Sequence, residues 1–136
     1  MSRLLSAAAL AFLLFAAGAA AQRRPTPPVP TEKRASAAAL AADPAVARLL
    51  KHAQALEKKL KAHPGDKALR QKTADATYAA GHAMMVSPKL GSRVKYRGAL
   101  RLFRRTLQLD PHHRRALSDK DLIVGVYKQM GRPVPR

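Results

Sequence analysis

The chain has 136 residues, and its 26 Lys and Arg face only 8 Asp and Glu, a formal net charge of +18. It contains no Cys and no Trp. That length suits one domain, and the missing thiols exclude disulfides, thiolate metal sites, cysteine nucleophiles and a cysteine-anchored lipoprotein.

Residues 1–21 carry an address. Met1-Ser2-Arg3 is a short cationic start, followed by an apolar run from Leu4 to Ala17 and then Gly18 and Ala19-Ala20-Ala21. This order predicts a secretory signal peptide cleaved between Ala21 and Gln22, because small residues occupy both positions that a signal peptidase reads. The run is shorter than the roughly 20 apolar residues of a comfortable membrane span. An uncleaved N-terminal anchor is the alternative, since Arg23 and Arg24 directly after the cleavage point resist translocation. Cleavage would remove Arg3 and no acid, leaving a mature chain of net charge +17. Its aromatics would be Tyr78, Tyr96, Phe103 and Tyr127, so the core has to be helical and packed with Leu and Ala.

Residues 22–43 read as a linker. Pro25, Pro27, Pro28 and Pro30 forbid a helix there, because each removes an amide donor and fixes φ. An extended, solvated, disordered tether is expected. TPPVP is also compatible with a Pro-rich recognition motif, and Ala38 to Ala42 with a weak helical turn.

Residues 44–136 read as one helical domain. Asp43-Pro44 pairs a capping side chain with Pro at the first helical position, which opens a first helix running to about His63. Leu49, Ala53, Leu56 and Leu60 form its apolar stripe. Pro64-Gly65 ends it, and Asp66 caps a second helix from Lys67 to Val86. Leu69, Thr73, Ala76, Ala80 and Met84 form the second stripe, and small residues including Gly81 permit close helix approach. Ser87-Pro88 stops that helix, and Lys89 to Lys95 reads as a basic loop or irregular turn.

A third helix spans Tyr96 to Leu109, with Tyr96, Ala99, Leu100, Phe103 and Leu107 facing inward. Asp110-Pro111 ends it. The last helix runs from about His113 to Met130, its apolar set being Leu117, Leu122, Ile123, Val126, Tyr127 and Met130. Gly131 is placed as its cap, followed by Pro133 and Pro135. No segment alternates with period two. Four helices with short connections predict an all-α fold of antiparallel hairpins.

Residues 95–113, KYRGALRLFRRTLQLDPHH, resemble the second half of a tetratricopeptide repeat. Tyr96, Ala99, Phe103, Leu107, Leu109, Asp110 and Pro111 match that family's pattern. Elsewhere the resemblance is degenerate. Leu56, Leu60 and Pro64 suit the end of an earlier repeat, but His52 stands where a small residue belongs. Pro64 to Pro111 is 47 residues, against a family period of about 34. The resemblance implies a right-handed helical solenoid with one complete repeat between two half repeats. Solenoids usually need about three repeats to bury a continuous core, so either the long helices compensate, or self-association or a partner stabilises the domain.

Chemistry-bearing patterns are sparse. Asp119 and Asp121 are the closest acids, but positions two apart on a helix point away from each other. There is no Gly-rich phosphate loop and no nucleophile elbow. His112-His113 reads as a solvated pair rather than a metal site, and Met84-Met85 as core packing rather than a copper ligand. The sequence therefore predicts no enzyme, no cofactor and no metal.

Two functional readings remain. The resemblance implies a protein-interaction adaptor whose A helices line a concave face. Carried over by position, that face includes Ala68, Gln71, Asp75, Tyr78 and Ala79, with Arg115 and Ser118 on the last helix. The subfamily that clamps C-terminal carboxylates uses Lys and Asn at the Gln71 and Asp75 positions, from which this chain departs. The alternative is an electrostatic binder of polyanions: anionic lipid, wall polymer or nucleic acid. Its candidates are Lys89, Arg93, Lys95, Arg97, Arg101, Arg104 and Arg105. Nucleic acid is disfavoured by the export signal and by the absence of spare aromatic platforms for base stacking. The expected setting is the periplasm or cell envelope.

Overall fold

The computed structural model describes residues 41–136. Ala41 and Ala42 are helical, in keeping with their alanine run. The expected signal peptide at 1–21 and the linker from 22 to 40 lie outside the described residues. Four further helices follow, and no strand occurs among the described residues. We label them α1 (Pro44–Ala62), α2 (Lys67–Val86), α3 (Ser92–Leu109) and α4 (Arg114–Gln129). No helix among the described residues is long and apolar enough to cross a membrane.

The ends of the helices follow from their capping chemistry. Asp43 accepts from the amides of Ala45 and Val46 ahead of Pro44, so it belongs to the folded domain rather than to the linker. Asp66 accepts from Leu69 N at 2.8 Å and starts α2. At the far end, Gly131 adopts φ 61°. Its amide reaches Lys128 O, and the Arg132 amide reaches Tyr127 O. These are the paired bonds of a Schellman motif, which satisfies the last carbonyls of α4 and needs a left-handed residue.

One boundary differs from the expectation. Residues 92–95 are not loop but the first turn of α3, which begins at Ser92 rather than Tyr96. Gly91 is the N-cap and makes no side-chain bond to the helix. The start is held instead by packing: Leu90 is buried with Val46 and Met84, and Val94 packs against that cluster.

Each helix packs on its neighbours in the chain, α1 on α2, α2 on α3 and α3 on α4. The core has two parts. Val46, Met84 and Leu90 close one end, flanked by Leu50, Ala83 and Leu102. Ala99, Leu100, Phe103 and Ile123 form the other, with Tyr78, Met85, Tyr96, Tyr127 and the tail residue Val134 around them. Met84 and Met85 are thus packing residues. α2 and α3 approach closely at Gly81, where an added Cβ would lie 2.9 Å from the Phe103 ring. Buried Thr73, Thr77 and Thr106 return their hydroxyls to the carbonyls of Leu69, Thr73 and Leu102, so they cost little in the interior.

The buried faces differ from the expected stripes: Leu69 and Ala76 of α2 and Tyr96 and Leu107 of α3 are half-buried, while Thr77 and Thr106 are buried. In α1 the buried stripe is Val46, Ala53, Leu56 and Leu60, while Leu49 is only half-buried. In α4 only Ala116 and Ile123 are buried, and Tyr127 is half-buried. Leu117, Leu122, Val126 and Met130 are exposed, because α4 meets the body of the fold along one side.

Candidate functional site

α2 and α4 both flank α3 and leave a groove between them, a cavity of about 460 Å³. Asp75, Tyr78 and Ala79 line it from α2, and His113, Arg114 and Arg115 from the start of α4. Positions 71, 75, 78 and 82 fall on one helical row, which brings Gln71 and His82 to the same face as Asp75 and Tyr78. Gln71 Nε2 donates to Asp75 Oδ1 and to Asp110 Oδ2, each at 3.3 Å. Of the expected concave-face residues, Asp75, Tyr78, Ala79 and Arg115 meet at the groove. Gln71 supports it from one end, whereas Ala68 and Ser118 are exposed and do not line it.

Asp119, His113 and His82, none of them among the expected partner-binding residues, complete the site. Asp119 Oδ2 receives the Tyr78 hydroxyl at 3.1 Å and His82 Nδ1 at 3.0 Å. This single carboxylate oxygen therefore ties α4 to α2 twice. His113 caps α4: its Nδ1 accepts from Ala116 N at 3.2 Å. That bond requires a lone pair on Nδ1, which puts the ring hydrogen on Nε2, 3.4 Å from Asp75 Oδ1. The expected solvated His112-His113 pair is thus split, with His112 exposed and His113 built into the groove wall.

Tilted rings cluster in this region. The Tyr78 centroid lies 4.7 Å from that of His113 and 5.8 Å from those of His82 and Phe103. Burial raises the Tyr78 phenol above its ordinary value, and its hydrogen bond to Asp119 and the charge of that carboxylate add to the rise. The hydroxyl is therefore held as a donor. The groove thus brings two basic residues, Arg114 and Arg115, together with the acid Asp75 and the half-buried Tyr78. Among the described residues no group of three or more His, Asp or Glu is placed to hold a metal ion.

The seven basic candidates do not form one open surface. Lys89, Arg93, Arg97 and Arg101 are exposed. Lys95 stands roughly opposite Arg97 around α3, and its ammonium lies 5.1 Å over the Tyr96 ring. Arg104 donates to Pro135 O at 2.6 Å. Arg105 pairs with Glu57 of α1 and also donates to Gln108 Oε1 at 3.0 Å. The Arg side chains of α3 are therefore partly covered, because Glu57 of α1 and Pro135 of the C-terminal tail engage Arg105 and Arg104.

No family model, curated protein or solved structure matches this chain.

Proposed function

We propose that this chain is an exported, non-catalytic adaptor built like a tetratricopeptide domain, which holds a protein or peptide segment in the α2–α4 groove. The observation that carries this reading is the meeting of Asp75, Tyr78 and Arg115 at one cavity, with His113 and Arg114 beside them. The packing order of the helices supports it, since α2 and α4 both pack on the α3 between them, as successive A helices pack on the B helix between them in such a solenoid. The signal peptide expected from the sequence of residues 1–21 supports an envelope setting. Specificity comes from the groove, and the remaining positive charge of the domain speeds encounter with acidic partners.

The reading is tested by capture from an envelope extract through a salt series. Tyr78→Ala combined with Asp75→Arg should lose the proteins that wild type retains at high salt. Arg101→Glu should retain them while losing species eluted at low salt. Equal loss from both variants would contradict this division of labour.

A further inference from the structure

Away from the α2–α4 groove, α1 and α3 flank a second, open cleft of about 490 Å³. Its floor is aliphatic, from Leu50 and Ala53 of α1 and Leu102 of α3, with Thr77 of α2 beneath. Arg101, Arg104, Arg105 and Arg136 line its rim, with Glu57 the one acidic side chain among them. Glu57 is already matched by Arg105, and the bond from Arg104 to the neutral Pro135 carbonyl leaves the Arg104 charge uncompensated. The side chains of the rim thus sum to a formal +3.

A hydrocarbon floor inside a guanidinium ring calls for a ligand that is itself divided the same way. A free phosphate would meet the rim but leave the floor wet. An acidic peptide would meet the rim but bring backbone amides over Leu50, Ala53 and Leu102, which offer them no partner. A nucleic acid would look for aromatic faces, and none lines this cleft. The geometry points to an anionic phospholipid. Its phosphate is taken by the forked donors of Arg101, Arg104 and Arg136. Its glycerol and the first carbons of its chains lie on Leu50, Ala53 and Leu102. The cavity is of the size usual for a small-ligand site. This assignment is independent of the α2–α4 groove, and it turns the basic face from a diffuse polyanion surface into a lipid headgroup site.

The test uses the full chain with methyl-labelled Leu and dihexanoyl phosphatidylglycerol kept below its micelle concentration. Resonance-level detection separates the cleft from any insertion of residues 4–17 into lipid. The Leu50 and Leu102 methyls should shift saturably, while those of exposed Leu122 on α4 stay in place. Arg101→Glu should weaken binding about tenfold, the scale of one charge-assisted hydrogen bond. Gln54→Trp, an exposed position on the cleft wall, should abolish the shifts by filling the cavity without removing charge. Equal shifts with dihexanoyl phosphatidylcholine would overturn the proposal, as would equal shifts with inorganic phosphate alone. Tighter binding of an oligoglutamate would overturn it in favour of a peptide site. Unchanged affinity in Gln54→Trp would reduce the effect to surface charge and overturn it too.

Discussion

One oxygen of the Asp43 carboxylate caps α1, and the other accepts the Ser87 hydroxyl at 2.7 Å from the end of α2. Two helix ends 44 residues apart in sequence are thereby held by one buried side chain. The Ser87 bond holds the Asp43 carboxyl below its ordinary value, aided by the Val46 and Ala45 amides and by Lys89, with burial acting the other way.

The sign of the resulting pH dependence follows from that direction. A carboxyl with a depressed folded value contributes stability that is full above its unfolded value near 4 and fades as pH falls through the folded value. Thermal unfolding at pH 7 and pH 3 should show this loss in wild type. Asp43→Asn should unfold at a lower temperature at pH 7 and lose less on acidification. An equal acid sensitivity in the variant would place the effect elsewhere.

Two glycines of the same helical class should respond with opposite sign. Gly81→Ala drives a Cβ into the Phe103 ring and the Leu102 side chain, and should cost about 1–3 kcal/mol through overpacking. Gly125 has nothing within 4 Å of the corresponding point, so Gly125→Ala should gain up to about 1 kcal/mol from helix propensity and reduced unfolded-state entropy. Chemical denaturation of the two variants measures both.

Phe103 is fully buried where α2, α3 and α4 meet. Phe103→Ala should cost about 3–5 kcal/mol, a large share of the stability of a domain this small. By contrast, the Glu57–Arg105 pair is partly exposed on both sides, and a double-mutant cycle should return less than about 1 kcal/mol.

The Tyr78 phenol should ionise above the ordinary value near 10. A difference titration of tyrosine absorbance between wild type and Tyr78→Phe isolates it. Asp119→Asn should bring it part of the way down, since burial, the larger cause, persists. Any stability owed to the protonated phenol is present below the unfolded value and lost as pH rises through the folded one.

Much of this fold is legible from local signals. Asp43-Pro44, Asp66, Ser87-Pro88 and Gly131 each act through neighbours in the chain, so the helix ends they set can be read directly. The start of α3 could not be read this way, because Gly91 lacks a capping side chain and tertiary burial of Leu90 and Val94 holds the turn. The row 71, 75, 78 follows from helical spacing, and one more step along it reaches His82. Asp119 and His113 are different. Their roles come from contacts with residues 37 to 41 positions away and with Asp75, which no local pattern encodes. The apolar pattern of α4 misleads for a related reason: it is wide enough for two apolar packing partners, but α4 packs closely only on α3 and meets α2 mainly through the polar contacts of Asp119.

The most direct test of the adaptor account is residue-resolved amide exchange on the full chain with a peptide selected on it from a random library. The account predicts added protection confined to residues 71–82 and 113–119, the two walls of the groove, and loss of that protection in Tyr78→Ala. Protection on α1 and the outer face of α3, with residues 71–82 unchanged, would contradict it.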